Sequence, residues 1–213
     1  MSGRIVILNG VPRSGKTAIA AALQTHVDGN WINLGVDAQN RMLPQQLLPG
    51  IGLRPGGERP DLEPNVQALF AALYDSIAAH ARQGFDVVVD VGHHDDYSRP
   101  LGILAACAQR LAGLDVLFVG VYCPLDEIMR RRNGDPQNGL YVTGPGVPAP
   151  VQRWQDAVHV PGIYDLTVNT GTMRAQHCAL AIADALANPP ARRAFSILAA
   201  RRPAPSGPAG DHA

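Results

Sequence analysis

The sequence predicts an α/β protein with a doubly wound, five-stranded parallel sheet and helices on both of its faces. Three observations carry that expectation. Short continuous apolar runs recur along the chain, and such runs suit strands buried on both sides. Segments of helical period separate the runs. A glycine-containing turn joins the first run to the first helical segment, as alternating β and α units require.

The elements follow in order. Residues 5–8, Ile-Val-Ile-Leu, read as the first strand, and residues 17–27 as the first helix. Residues 31–36, Trp-Ile-Asn-Leu-Gly-Val, are a weaker second strand. Residues 49–60, PGIGLRPGGERP, have no period and read as a surface excursion near the ligand edge of the sheet. Residues 63–83 place Val66, Leu69, Phe70, Leu73, Ile77 and Ala81 at helical spacing. Strands follow at 87–91, 116–121 and 166–168, with helices at 101–111, from near Leu125, and at 173–186. Right-handed crossovers place helices on both faces. These elements predict one packed domain over residues 1–187, with a short lid about 128–150. Residues 188–213, rich in Pro, Ala and Arg, read as a flexible tail.

Composition narrows the function classes. The chain has 213 residues, 46% hydrophobic and 17% charged, enough for one sizeable core. Lys and Arg total 18 and Asp and Glu total 18, which argues against a large basic footprint for nucleic acid. Arg4 is followed by only four apolar residues, too few for a membrane span or a leader. Three scattered cysteines, Cys107, Cys123 and Cys178, make no disulfide framework. A cytoplasmic protein with no membrane partner is expected, and a homo-oligomer is left open.

The turn at residues 10–17 reads Gly10-Val11-Pro12-Arg13-Ser14-Gly15-Lys16-Thr17, which fits G-x-x-x-x-G-K-[ST]. In such a P-loop, backbone N–H groups wrap phosphate oxygens, and the glycines leave room for chain and ligand. The following helix N-terminus adds partial positive charge. Lys16 can reach the β- and γ-phosphates and the Thr17 hydroxyl can bind Mg²⁺. A second metal partner belongs at the end of another buried strand, and Asp90, after Val87-Val88-Val89, supplies it.

Two further features bear on chemistry. Asp37 follows Leu34-Gly35-Val36 at the carboxyl end of the second apolar run. A carboxylate there can orient an acceptor hydroxyl and take its proton, although with an ordinary pKa of roughly 4 it works by position. Equally, Asp37 can simply cap a following helix. Arg130-Arg131-Arg132 precede Asn133-Gly134-Asp135. Helical neighbours are about 100° apart, so the three arginines diverge and at least one can face the phosphates. A solvated basic turn is the plain alternative.

The chain resembles the chloramphenicol phosphotransferases. The likeness runs in order through most of residues 4–186: RIVILNG with GKT, GVD with Pro44 seven residues after the Asp, VVVDV, LDVLFVGVYC and YDLTVNT. The resemblance implies a P-loop NTPase with an adenylate-kinase-like core that phosphorylates an antibiotic hydroxyl from ATP·Mg²⁺, conferring resistance. It implies that Asp37 is catalytic, that Lys16 and Thr17 hold phosphate and Mg²⁺, and that Arg131 is the lid arginine, with Arg132 as a substitute. Related members tend to carry a longer basic lid with Arg-Gly-Asp-Arg, where this chain has Asn133-Gly134-Asp135-Pro136. The segment His93-His94-Asp95-Asp96 has no counterpart. A different hydroxylated small molecule, such as a nucleoside antibiotic, is therefore also expected as acceptor.

His93 and His94 read as a polar loop at the sheet's ligand edge and, with Asp37 and Asp90, are the candidate substrate contacts. Adjacent histidines diverge, which argues against a metal site. Cys123 reads as a small buried hydrophobe. Thr170-Gly171-Thr172 either pack near adenine or cap the last helix. The rival readings are a metabolic sugar or nucleoside kinase, a toxin-like nucleotide-sugar kinase, and a non-catalytic nucleotide-binding module.

Overall fold

The strands are β1 (Ile5–Asn9), β2 (Trp31–Asn33), β3 (Asp86–Val91), β4 (Val116–Tyr122) and β5 (Leu166–Asn169). All pair in parallel, in the order β2-β3-β1-β4-β5. The computed structural model describes residues 2–135, 146–191 and 193–201. Alternation along β1 sends Ile5 and Ile7 to one face and Val6 and Leu8 to the other, all fully buried.

Each face has its own helices. On the first, α3 (Glu63–Arg82) presents Val66, Phe70, Tyr74 and Ile77, and α4 (Ile103–Arg110) presents Ile103 and Cys107. On the second, α1 (Lys16–His26) supplies Ile19, Ala20 and Leu23, and α7 (Ala175–Ala187) supplies Cys178, Ala179 and Ile182. Burying one such large aliphatic or aromatic side chain contributes about 1.5–3 kcal/mol. A third, smaller cluster unites Val11 and Cys123 with Ile128 of α5 (Leu125–Gly134) and with Val151 and Trp154 of α6 (Ala149–Ala157). It fastens the loop after β1 to both helices.

Several expectations change. The second strand ends at Asn33, because the Asn33 Oδ1 accepts the Gly35 N–H at 3.0 Å and turns the chain into α2 (Val36–Arg41). Residues 49–60 are a surface excursion only in part: a 3-10 turn at Gly50–Gly52 buries Ile51, and Leu53 joins the α3 core, while Arg54, Glu58, Arg59 and Pro60 stay exposed. Packing also continues past residue 187. In α8 (Ala194–Ala199), Ala194, Phe195 and Leu198 are buried, with Phe195 edge-on to Phe118 at 5.0 Å. The rest of the expected tail, residues 202–213, and the lid's 136–145 lie outside the described residues. Among the described residues, no helix is long and apolar enough to cross a membrane.

Candidate active site

The loop after β1 carries the strongest local constraints. A Cβ on Gly10 would lie 2.5 Å from the Val121 carbonyl oxygen, so the loop passes where only glycine fits. Arg13 and Gly15 have φ of 70° and 91°. Two left-handed residues this close curl the backbone, as in the turns whose N–H groups hold anions. Gly15 precedes α1 with no side-chain cap, so the first-turn N–H donors face the loop. Val11 is buried in the third cluster and Pro12 faces an adjoining cavity. The buried Ser14 hydroxyl has no hydrogen-bond partner among the described residues.

Lys16 folds back on this loop, its Nζ donating to the Gly10 and Val11 carbonyls, both at 2.8 Å. Burial pulls its pKa down to about 8, while the Asp90 and Asp37 carboxylates push the other way. Asp37 therefore stands within electrostatic reach of Lys16, on the same rim. It neither ends a strand nor caps a helix. Gly35 holds the cap position, and Asp37 is exposed in the first turn of α2, where the helix dipole favours a carboxylate.

Asp90 is buried near the end of β3, and its Oδ2 accepts the Thr17 hydroxyl at 2.7 Å. Its Oδ1 fills the space beside Gly35, where a Cβ would lie 1.4 Å away. Asn33, Gly35, Thr17 and Asp90 thus form one corner from three elements. Two hard oxygens side by side suit Mg²⁺, which takes one or two protein ligands and completes its shell with phosphate and water.

The three arginines of α5 diverge. Arg130 is exposed and pairs with Glu127 at 2.6 Å. Arg131 crosses the loop, with Nε on Glu127 at 2.7 Å, Nη1 on the Arg13 carbonyl at 3.1 Å and Nη2 on the Thr170 carbonyl at 2.8 Å. Held between two arginines, Glu127 is pushed down to about 2. Arg132 faces the cavity beside Pro12. Arg13 reaches Asp135 at the end of α5 at 2.9 Å.

The candidate substrate contacts His93 and His94 need correction. Both are buried. His93 stacks on Phe70 at 4.6 Å, and its Nε2 lies 2.7 Å from the Tyr74 hydroxyl. Burial, with His94 beside it, pushes its pKa down to about 3, so it stays neutral. His94 donates to the Leu53 carbonyl at 2.9 Å and packs against Tyr97 and Trp154. The aromatic residues of α3 and α6 take both rings into the core, which a two-residue polar motif does not disclose.

A family description then fits this geometry along its length. Residues 3–187 match the chloramphenicol phosphotransferase-like protein family. The chain belongs to that family. This membership makes it a kinase-type phosphotransferase. No curated protein matches the chain. Among solved structures, the Mycobacterium tuberculosis APS kinase in complex with AMPPNP and APS superposes with a TM-score of 0.60 at 19% identity, covering 88% of this chain and 98% of that one. Shikimate kinase from Acinetobacter baumannii in complex with shikimate gives 0.56 at 14% identity, over 89% and 96%. The Deinococcus radiodurans tunicamycin resistance protein gives 0.54 at 17% identity, over 85% and 94%. At these identities the likeness concerns the fold, that of α/β P-loop kinases.

Within this phosphotransferase-like frame, two residues matter that the sequence did not single out and one that it left open. Asn9 ends β1 and ties three segments: its Oδ1 accepts the His93 N–H at 2.6 Å, and its Nδ2 donates to the Val158 carbonyl and the Tyr164 hydroxyl, both at 2.9 Å. A polar residue closing a buried strand was the available signal. Trp154 walls the cavity and packs where a Gly92 Cβ would lie 2.8 Å from its ring. Thr170 does not cap α7, whose cap position is Arg174; its hydroxyl donates to the Ser14 carbonyl at 2.6 Å and buttresses the loop.

Proposed function

We propose that the chain is an ATP-dependent O-phosphotransferase that phosphorylates a hydroxyl of a small-molecule antibiotic, of chloramphenicol type or another hydroxylated compound such as a nucleoside antibiotic, and so confers resistance. The observation that carries this reading is the Thr17–Asp90 hydrogen bond beside the phosphate loop, with Asp90 packed against Gly35 at the start of the helix that bears Asp37.

The loop fits a nucleotide's phosphates through its uncapped helix start, its curled backbone and the partnerless Ser14 hydroxyl. Lys16 exchanges two carbonyl bonds for phosphate oxygens, and its ammonium form is then strongly favoured. Thr17 and Asp90 would hold Mg²⁺, which neutralises charge on the phosphates when bound. Asp37 orients the acceptor hydroxyl and takes its proton as the new oxygen–phosphorus bond forms. The bond from that phosphorus to the β–γ bridging oxygen breaks, ADP keeps the electron pair, and Asp37 returns the proton to solvent. Arg131, fixed by Thr170 and Glu127, and Arg132 offset the charge of the transferring group.

The test is incubation with ATP·Mg²⁺ and panels of hydroxylated antibiotics, sugars, nucleosides and nucleotide sugars, read by mass spectrometry. A phosphate gain on an antibiotic, lost in Asp37→Asn while nucleotide binding persists, is the expected result. A gain only on a metabolite moves the chain to the metabolic or toxin-like reading. Binding without transfer to any compound makes it a nucleotide-binding module.

A further inference from the structure

A cavity of about 550 Å³ lies against the phosphate loop, walled by Pro12, Leu53 and Trp154. Its charged lining residues, among those described, are three arginines, Arg54, Arg59 and Arg132. Among the described residues, the remainder of the lining is apolar side chains and glycine. An apolar body bearing an anionic group would satisfy both parts of the wall.

Resting on the kinase reading above, we propose that the acceptor carries an anionic group, a carboxylate on an apolar frame, besides the hydroxyl that is phosphorylated, and that Arg54 and Arg59 recognise it. Both arginines already touch carboxylates outside the cavity lining. Arg54 Nε donates to Glu58 at 2.7 Å, and Arg59 grips Asp61 through Nε and Nη2 at 2.9 and 2.6 Å. Both side chains are about half exposed, at 53% and 54%, and exposed pairs of this kind contribute little to stability. Exchanging such a partner for a ligand carboxylate therefore costs little. Glu58 keeps a second partner, Arg153 of α6 at 2.5 Å, so it is not stranded when Arg54 turns inward. The same Glu58–Arg153 bond ties the 49–60 segment to α6, holding two cavity walls at a fixed spacing.

The test uses matched alcohols that differ only in charge: 4-(hydroxymethyl)benzoate against its amide, and 3-hydroxydecanoate against its amide. Binding is read from Trp154 fluorescence in the full chain with Trp31→Phe and AMPPNP present; transfer is read as phosphate gain with ATP. Each acid is expected to bind about tenfold tighter than its amide. Arg59→Gln and Arg54→Gln should erase that ratio while leaving the amide's affinity and the KM for ATP unmoved. Equal binding of acid and amide, tighter binding of the amide, or no response from Trp154 to any compound would each overturn the inference. Acid-selective binding without transfer to any alcohol keeps the anion-reading cavity and removes the kinase reading instead.

Discussion

Two glycine- and proline-containing segments face each other across the cavity, residues 10–17 and residues 49–60, and they use those residues to opposite ends. In the first, Gly10 makes way for the Val121 carbonyl but Gly15 leaves space for a ligand. Gly15 has φ 91°, yet a Cβ there would meet nothing closer than the Arg131 Nη1 at 3.4 Å. In the second, glycine clears space for the protein itself. Gly57 has φ 61°, and a Cβ there would lie 2.8 Å from the Ser98 backbone nitrogen. The first segment leaves donors and one hydroxyl open, whereas the second buries Ile51 and Leu53. Shared use of glycine and proline therefore conceals a division between a loop open to phosphate and a loop whose first half packs into the core.

The sharpest way to break this division is at Lys16. Lys16→Met should lower phosphoryl transfer by about 10²–10³-fold or more, because a preorganised charge at the phosphates is lost. Thermal midpoint should hold or rise, since a partly buried ammonium with a depressed pKa is no longer desolvated. A matching fall in midpoint would erase the distinction. Ile51→Ala should do the reverse, costing about 2–5 kcal/mol in denaturant unfolding with nucleotide affinity per folded molecule nearly kept.

The glycines sharpen it further. Gly15→Ala should cost about 1–2 kcal/mol from left-handed backbone strain alone. Gly57→Ala adds overlap with the Ser98 backbone and should cost more in the same urea titration. The reverse order would mean that the phosphate loop is the more tightly packed of the two.

A graded effect is acid sensitivity behind residues 49–60. His93 is held near pKa 3, below its unfolded value of about 6.5, so the unfolded chain binds a proton that the native one does not. Native stability should be unaffected above about pH 6.5 and should fall by up to about 1.4 kcal/mol per pH unit between there and pH 3. His93→Gln should flatten that slope in melts from pH 7.5 to 4.5. His94 and His159 shift in the same direction and leave a residual slope.

The parts of the site read from the sequence share a physical character. Residues 10–17, Asp90 and the divergence of Arg130, Arg131 and Arg132 follow from chain-local rules: a strand-loop-helix motif, a carboxylate ending an apolar run, and helical angles. Contacts between segments distant in sequence were not legible. Thr170 lies 156 positions from Ser14, and Asn9 lies 149 from Val158, yet both pairs are hydrogen-bonded.

By itself the sequence determined the parallel sheet, its helices on both faces and the phosphate loop, because strand burial, helical period and left-handed glycine turns are properties of neighbouring residues. Tertiary structure alone decided that His93 and His94 go inside, that Ile51, Leu53 and α8 complete the core, and that arginines from two segments share one cavity. Those outcomes depend on which surfaces remain apolar once the sheet has formed. That is a competition for burial among residues far apart in the chain, and no local pattern records its result.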